Sequence, residues 1–246
     1  MLEFSFKNRN ELENELIDFK VLFAYHSNKI ENDEINYHDT RDVFENSKVV
    51  GFNGDPRTLF EIQNQKDCYN FLIDNLVKRE KISVELIKDI HRELTKSTYD
   101  ENRYAKGERP GEYKKGDYIV GKAEIGVDSK DVEREMNELI DEINSAKSND
   151  HLSIVTYFHL RFETIHPFAD GNGRVGRALI NYYLIINGYK PLIVYDEDKK
   201  LYYECLQAYD EKEDIEPLKS FLEYEQKKTW EKKKQPSIRL DDVIKD

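Results

Sequence analysis

The chain has 246 residues, of which 38% are hydrophobic and 36% are charged, and its 50 acidic against 38 basic residues give a net charge of −12. This acidic balance argues against general nucleic-acid binding, which needs basic side chains to neutralise phosphates. No apolar run approaches the ~18 residues of a membrane span, and the acidic N-terminus lacks the apolar region of a signal peptide, so we expect a cytoplasmic protein with no membrane partner.

Most of the chain predicts amphipathic helices, because apolar residues recur at spacings of three and four. Ser83 is the predicted N-cap of one helix, and residues 152–165, apolar on most faces, are expected to form the buried central helix. The other predicted helices cover 11–30, 59–77, 128–145, 174–187, 199–211 and 217–231. The two cysteines, Cys68 and Cys205, are expected to be reduced core residues.

One glycine-rich segment breaks this pattern. Between Gly111 and Val127, the sequence Tyr118-Ile119-Val120 favours a strand, and five glycines lie between Gly107 and Gly126. A short β-hairpin is therefore predicted here. The expected fold class is all-α, a helical bundle with this one small hairpin.

A possible anion-binding segment lies between two predicted helices. Residues 166–177 read HPFADGNGRVGR. Gly171, Asn172 and Gly173 can turn their backbone N–H groups inward, and the helix expected to begin near Arg174 adds the positive end of its dipole. Arg174 and Arg177 lie on one face of that turn and offer guanidinium groups suited to phosphate.

Two further residues of this segment carry chemistry. Asp170 could bridge a hard cation such as Mg²⁺ to bound phosphates, and His166 titrates near neutrality, so it could accept a proton from a hydroxyl. Each residue also has an ordinary structural interpretation: a histidine that ends a helix, a simple Gly-Asn-Gly turn, or solvated arginines. Two cations at a positive helix end favour the functional interpretation, because an anion would compensate them.

The segment resembles the Fic-domain signature H-x-F-x-[D/E]-G-N-G-R-x-x-R, with no departure at a fixed position. The resemblance covers about residues 58–230, allowing for uncertain element boundaries. It implies a Fic-type helical bundle with a hairpin flap, and protein adenylylation: a hydroxyl of a target protein, or of the chain itself, attacks the α-phosphate of ATP and pyrophosphate leaves. A side chain at position 173 would crowd the phosphates, and the chain keeps Gly173.

The resemblance also implies roles for single residues. His166 would be the general base and Asp170 the Mg²⁺ ligand. Phe168 would anchor the loop. The phosphates would bind to Gly171, Asn172, Gly173, Arg174 and Arg177. The flap would hold the target segment by strand addition through Tyr118, Ile119, Val120, Gly121, Lys122 and Ala123.

The base pocket and an inhibitory element are implied less specifically. Tyr202 and Tyr203 match a tyrosine pair that often lines the adenine pocket of relatives, although helix packing explains them equally well. An inhibitory helix with the pattern [S/T]-x-x-x-E-[G/N] matches twice, at 27–32 and at 97–102. The first match is preferred because Ser27 and Glu31 share a face of a predicted helix. Glu31 would then pair with Arg177 and oppose phosphate binding.

The expected organisation is an N-terminal helical region with the inhibitory helix (1–57), a Fic catalytic core (58–234) and a C-terminal tail (235–246). A reverse, AMP-removing activity, transfer of another nucleotide or phosphocompound, a non-catalytic interaction domain and a transcriptional regulator are the alternatives. An intact set of site residues opposes the third, and the acidic balance opposes the fourth. Some relatives form homo-oligomers, but the sequence specifies no interface.

Overall fold

The computed structural model describes residues 1–49, 51–120 and 123–231, with the backbone alone for 119, 120 and 123–125. Helices dominate, so the predicted all-α class is confirmed. The helices are α1 (Arg9–Glu15), α2 (Ile17–Lys29), α3 (Tyr37–Asn46), α4 (Pro56–Lys78), α5 (Val84–Thr95), α6 (Glu101–Ala105), α7 (Val132–Ser145), α8 (His151–Ile165), α9 (Asn172–Ile186), α10 (Lys199–Lys212) and α11 (Glu216–Glu231). The expected tail, residues 235–246, lies outside the described residues.

The helix boundaries follow local capping chemistry. Ser83 caps α5 as predicted, because its side chain accepts a hydrogen bond from the Leu86 backbone N–H at 3.1 Å. The helix expected over 11–30 is divided at Leu16 into α1 and α2. The helices α3 and α6 were not predicted, since α3 buries little apolar surface and α6 has only five residues. The side chains of their N-caps, Asn36 and Asp100, accept backbone hydrogen bonds. These two residues were the sequence signals that could have indicated where each helix begins.

The helices α8 and α9 lie at the centre of one hydrophobic core. Phe162 of α8 and Leu179 of α9 are fully buried. The N-terminal helices reach the same core through Leu12 and Phe19. The expected division between residues 57 and 58 falls in the first turn of α4, so the inhibitory region and the bundle are packed together.

The hairpin consists of β1 (Tyr118–Val120) and β2 (Ala123–Ile125), paired antiparallel. Two backbone hydrogen bonds join its base to the end of α8 and the loop that follows: Val127 N–H donates to the Ile165 carbonyl at 3.2 Å and Lys114 N–H to the Pro167 carbonyl at 2.9 Å. The hairpin is thereby fixed beside the predicted phosphate-binding loop. Within the described ranges, no helix has the length and hydrophobicity needed to cross a membrane.

Candidate active site

The loop between α8 and α9 is defined by two residues in the left-handed region. His166 ends α8 with φ 50° and ψ 62°, a conformation that is uncommon for a residue other than glycine. Gly171 caps α9 with φ 85°. The helix α9 then begins at Asn172, two residues earlier than expected, so Asn172 and Gly173 are helical. Their backbone N–H groups belong to the first turn, where a helix supplies no acceptor.

The interior of the loop is anchored by an aromatic ring and an amide. Phe168 is fully buried and stacks on His91, with ring centroids 3.8 Å apart. The Asn172 side chain accepts from the Phe168 N–H at 2.9 Å and donates to the Phe168 carbonyl at 2.7 Å. The expected role of the Asn172 amide in orienting phosphates is therefore not what the structure shows. This amide holds the loop, while the Asn172 backbone N–H belongs to the first turn of α9.

The sequence analysis missed His91, which connects three parts of the site. Its Nδ1 accepts the Gly111 backbone N–H at 2.8 Å, and its Nε2 lies 3.0 Å from the Asp170 carbonyl. Burial lowers the pKa of His91 to about 3, so the ring is neutral and Nε2–H is the donor. His91 therefore connects the segment that precedes the hairpin, at Gly111, to the loop between α8 and α9, at Asp170. A single histidine on an amphipathic helix gives no sequence signal for this role.

His166 is held in its neutral, basic form. Its side chain is partly buried, and this burial, followed by the positive charge of Lys114, lowers the pKa of His166 to about 4. An imidazole with this pKa is unprotonated at pH 7 and can accept a proton. Lys114 was not predicted; it lies in the segment before the hairpin and is itself buried.

Arg177 is engaged by the N-terminal segment. It is nearly fully buried, its Nη2 donates to the Ser27 carbonyl at 2.8 Å and to Glu31 Oε1 at 2.7 Å, and its Nε donates to Ser27 Oγ at 3.1 Å. The pairing of Glu31 with Arg177 is the contact predicted for the first inhibitory match. Gly173 permits it, because a Cβ there would lie 2.5 Å from Glu31 Oε1.

The second inhibitory match does not form one helix face. Ser97 lies in a turn after α5 with φ 62°, and Glu101 is an exposed residue at the start of α6. The two side chains therefore belong to different elements. The match at 27–32 also crosses a helix end, because α2 ends at Lys29 and Glu31 lies beyond it, whereas the helix was expected to continue. It differs from the second match in that Ser27 and Glu31 both bind Arg177.

Asp170 is surrounded by arginines. Its Oδ2 lies 2.9 Å from Arg57 Nη2 and 3.3 Å from Arg103 Nη2, and its Oδ1 lies 3.4 Å from Arg174 Nη2. Burial opposes ionisation, but the charges of Arg174, Arg103 and Arg57 outweigh it and hold the pKa of Asp170 below its ordinary value. Arg57 and Arg103 lie far from the motif in sequence, and the sequence analysis missed both.

Arg174 is buried and pairs with acidic groups of the protein. Besides Asp170, the buried Glu61 of α4 lies 3.4 Å from its Nη1. Even so, Nε and Nη1 of Arg174 and Nη1 of Arg177 have no hydrogen-bond partner among the residues that the structure describes. Buried donors without partners indicate that the site is suited to an additional acceptor, such as a phosphate oxygen.

The two tyrosines have different environments. Tyr202 is buried, lies 2.7 Å through its hydroxyl from His159 Nε2 and packs on Phe221, so it cannot line an open base pocket. The packing alternative is the correct one for this residue. Tyr203 is 41% exposed and contacts Tyr202 at 5.4 Å between ring centroids, so it remains available to a ligand.

The predicted flap residues are described in part. Tyr118 donates its hydroxyl to Glu108 at 2.6 Å, and its backbone opens β1. Ile119, Val120 and Ala123 lie in the two strands, with Val120 opposite Ala123. Gly121 and Lys122 lie outside the described residues.

Residues 81–184 match the model of the Fic/DOC family. This match contains the whole loop, all of α8, and α9 as far as residue 184. The chain contains a Fic domain. The predicted resemblance is thereby confirmed.

Relatives with this domain are similar in sequence and in fold. Protein adenylyltransferase Fic from Drosophila persimilis is 28% identical over 199 residues, which cover 80% of this chain and 37% of the relative. The chain thus spans well under half the length of this curated relative. A Fic domain-containing signaling protein from Bacteroides thetaiotaomicron matches with a TM-score of 0.78 at 21% identity, covering 90% of this chain and 88% of that one. Fic-1 from C. elegans matches with a TM-score of 0.75 at 22% identity, covering 90% and 63%.

Proposed function

We propose that this Fic domain is a protein adenylyltransferase that transfers AMP from ATP to a hydroxyl side chain. One observation carries the proposal: a single six-residue loop has a neutral imidazole at its start and, at its end, a positive helix terminus with two buried arginines that each keep N–H donors without a hydrogen-bond partner among the described residues. The name of the Drosophila relative describes the same activity. ATP and a target protein are the partners that this reaction needs, and the chain itself is a possible target.

The reaction follows from these positions. The ATP phosphates would bind at the start of α9, where the backbone N–H groups of Asn172 and Gly173 and the side chains of Arg174 and Arg177 converge. His166 would take the proton from the target hydroxyl as its oxygen forms a bond to the α-phosphorus. The bond from that phosphorus to the bridging oxygen would break, and pyrophosphate would leave with the negative charge that the arginines offset.

Asp170 is the residue that would hold Mg²⁺, and its chemistry fits that ion. It is an ionised carboxylate, and it belongs to no group of three or more His, Cys, Asp or Glu donors in the described part of the chain. Mg²⁺ is commonly bound through one or two carboxylates together with substrate phosphates, with no further protein ligands. The ion would supply positive charge to the phosphates.

Glu31 would inhibit the enzyme in this arrangement. The Glu31 carboxylate accepts a hydrogen bond from Arg177 Nη2. It also lies next to Gly173, since a Cβ added to Gly173 would contact it, so the carboxylate is beside the first turn of α9. A phosphate that approaches the same turn meets a negative charge and an arginine already paired. Because the Glu31 side chain is 34% exposed while Arg177 is 2% exposed, we expect Glu31 to be the partner that moves.

The hairpin would present the target to His166. Its base is bonded to the carbonyl groups of Ile165 and Pro167, which flank His166 in sequence. A target segment that adds a strand to β1 or β2 would therefore run past the imidazole. The backbone bonds would keep the target strand at a fixed distance from His166.

Transfer of the α-phosphate label of ATP tests the proposal. The wild type, Glu31→Gly and His166→Ala would be incubated with magnesium and α-labelled ATP, and label on the protein would be counted. We expect Glu31→Gly to incorporate at least about tenfold more label than the wild type, because removal of the competing charge frees Arg177. His166→Ala should incorporate none. Equal labelling of a folded Glu31→Gly protein and the wild type would reject the inhibitory role.

A further inference from the structure

Two arginines from outside the catalytic loop converge on the proposed cation ligand. Arg57 lies in the first turn of α4 and Arg103 in α6, and both approach the same oxygen, Oδ2 of Asp170, at 2.9 and 3.3 Å. Their side chains are 37% and 28% exposed, whereas that of Arg174 is 3% exposed. Arg57 and Arg103 are thus the movable partners of the carboxylate.

Arg57 is held in place by a second carboxylate. Its Nε donates to Glu61 Oε1 at 3.0 Å, and the side chain of Glu61 is 4% exposed. The other oxygen of Glu61 accepts a hydrogen bond from Asn32 at 2.8 Å. Because a buried carboxylate is costly to leave without partners, Arg57 would keep its bond to Glu61 when it releases Asp170. Its guanidinium would then stay at the edge of the site.

A divalent cation and these guanidinium groups compete for the same electron pairs. A hard cation requires a carboxylate oxygen at close range, and an arginine donor on that oxygen excludes it. Three guanidinium groups around one carboxylate also repel an approaching cation. A nucleotide changes this balance, because its phosphate oxygens give the arginines other acceptors.

We propose that Arg57 and Arg103 are positioning residues that hold Asp170 in the nucleotide-free site, compete there with the divalent cation, and turn to the nucleotide phosphates when the cation binds. This inference rests on the proposed function, since it assigns two new residues to the same cation and phosphates. It makes binding of the cation depend on the nucleotide. Replacement of either arginine should therefore strengthen binding of the cation alone and weaken binding of the nucleotide.

The test is a titration of the full chain with Mn²⁺, without nucleotide, followed by the electron paramagnetic resonance signal of the free ion. The variants are Arg57→Gln, Arg103→Gln, Asp170→Asn and the control Arg41→Gln, which removes an exposed arginine of α3 that pairs with Glu45. We expect the affinity of the Asp170 site for Mn²⁺ to rise roughly five- to tenfold in Arg57→Gln and Arg103→Gln, as removal of a charge-assisted competitor implies. Arg41→Gln should match the wild type, and Asp170→Asn should lose the site.

A separate titration with a non-hydrolysable ATP analogue, without metal, measures the opposite effect. We expect Arg57→Gln and Arg103→Gln to bind it more weakly than Arg41→Gln does. Arg57→Lys and Arg103→Lys keep the positive charge but lose the planar guanidinium group. Their Mn²⁺ affinities should lie between those of the wild type and the Gln variants. Opposite changes in the two titrations cannot result from partial unfolding.

Two results would overturn the inference, and they differ in what else they reject. Unchanged or weaker Mn²⁺ binding in both Gln variants, with loss of the site in Asp170→Asn, would reject the competition and leave Asp170 as the cation ligand. Unchanged Mn²⁺ binding in Asp170→Asn would reject the cation site of the proposed function as well.

Discussion

At the scale of single residues, the site is balanced by charges of the protein itself. Arg177 pairs with Glu31, and Arg174 and Asp170 pair with each other. Arg174, in the first turn of α9, would otherwise oppose the helix dipole. The sequence analysis predicted the need for an anion and the pairing of Glu31 with Arg177, but it did not predict that Asp170 and Glu61 pair with Arg174.

The pH dependence of AMP transfer should show the depressed pKa of His166. Burial, and then the charge of Lys114, lower that pKa to about 4, so the base form is lost only as the pH falls through about 4. An exposed imidazole would lose its base form as the pH falls through ~6.5. We expect the acid limb of kcat/KM for Glu31→Gly to lie at or below about pH 4, because this variant removes a negative charge that raises the pKa of His166, and the limb of Glu31→Gly with Lys114→Gln to lie at higher pH.

Circular dichroism over the same range serves as the control for folding. Lys115→Gln is the matched variant, since Lys115 is exposed and pairs with Glu112. It should leave the limb in place. An acid limb near the value of a free imidazole would contradict the buried environment assigned to His166.

Contiguous residues of the site could be predicted, and residues that only the fold brings near could not. The loop with its histidine, aspartate and two arginines forms one short pattern, and the Ser27 to Glu31 spacing is a helix repeat. By contrast, Arg57, Arg103 and His91 lie at least 63 positions from residue 166. Arg57 and His91 are on ordinary amphipathic helices, and Arg103 is on a five-residue helix that was not predicted, so none of the three gave a sign of a site.

At the scale of elements, the hairpin and the catalytic loop behave as one unit. Lys114 and Val127 bond to the carbonyl groups on either side of His166, and His91 bonds to both Gly111 and Asp170. The glycines between 107 and 126 predicted the hairpin because glycine favours turns between strands. Its attachment to the loop depends on backbone bonds, which no side-chain pattern encodes.

Gly126→Ala should disturb this junction. Gly126 has φ 82°, and a Cβ there would lie 2.5 Å from the Ile165 carbonyl oxygen and 2.7 Å from His166 Cβ. We expect a loss of about 1–3 kcal/mol in the free energy of unfolding by urea, and reduced label transfer in the Glu31→Gly background. Gly116→Ala is the control, because nothing lies within 4 Å of its added Cβ. Equal stability of the two variants would contradict the close packing at the hairpin base.

At the scale of the whole molecule, one core joins the N-terminal helices to the bundle. Phe19 of α2 stacks on Trp230 of α11 at 6.2 Å between ring centroids, and Leu12 of α1 is fully buried. Helical periodicity predicted most of these elements and their buried faces. It did not predict the break at Leu16 or the short helix α3, since neither depends on a repeating apolar pattern.

Within the described residues, this packing places Glu31 against Gly173 in the first turn of α9. If Glu31 inhibits as proposed, activation would require that this partly exposed carboxylate leave Arg177. A change at one residue should therefore expose the full transfer activity of the fold.

The position of the transferred label tests the central claim most directly. The Glu31→Gly protein would be incubated with magnesium and with ATP labelled either on the α- or on the γ-phosphate, and protein-bound label would be compared with that of Glu31→Gly with His166→Ala. We predict label from the α-phosphate alone, and none when His166 is replaced. Protein-bound label from the γ-phosphate, or α-phosphate label that persists without His166, would contradict the account.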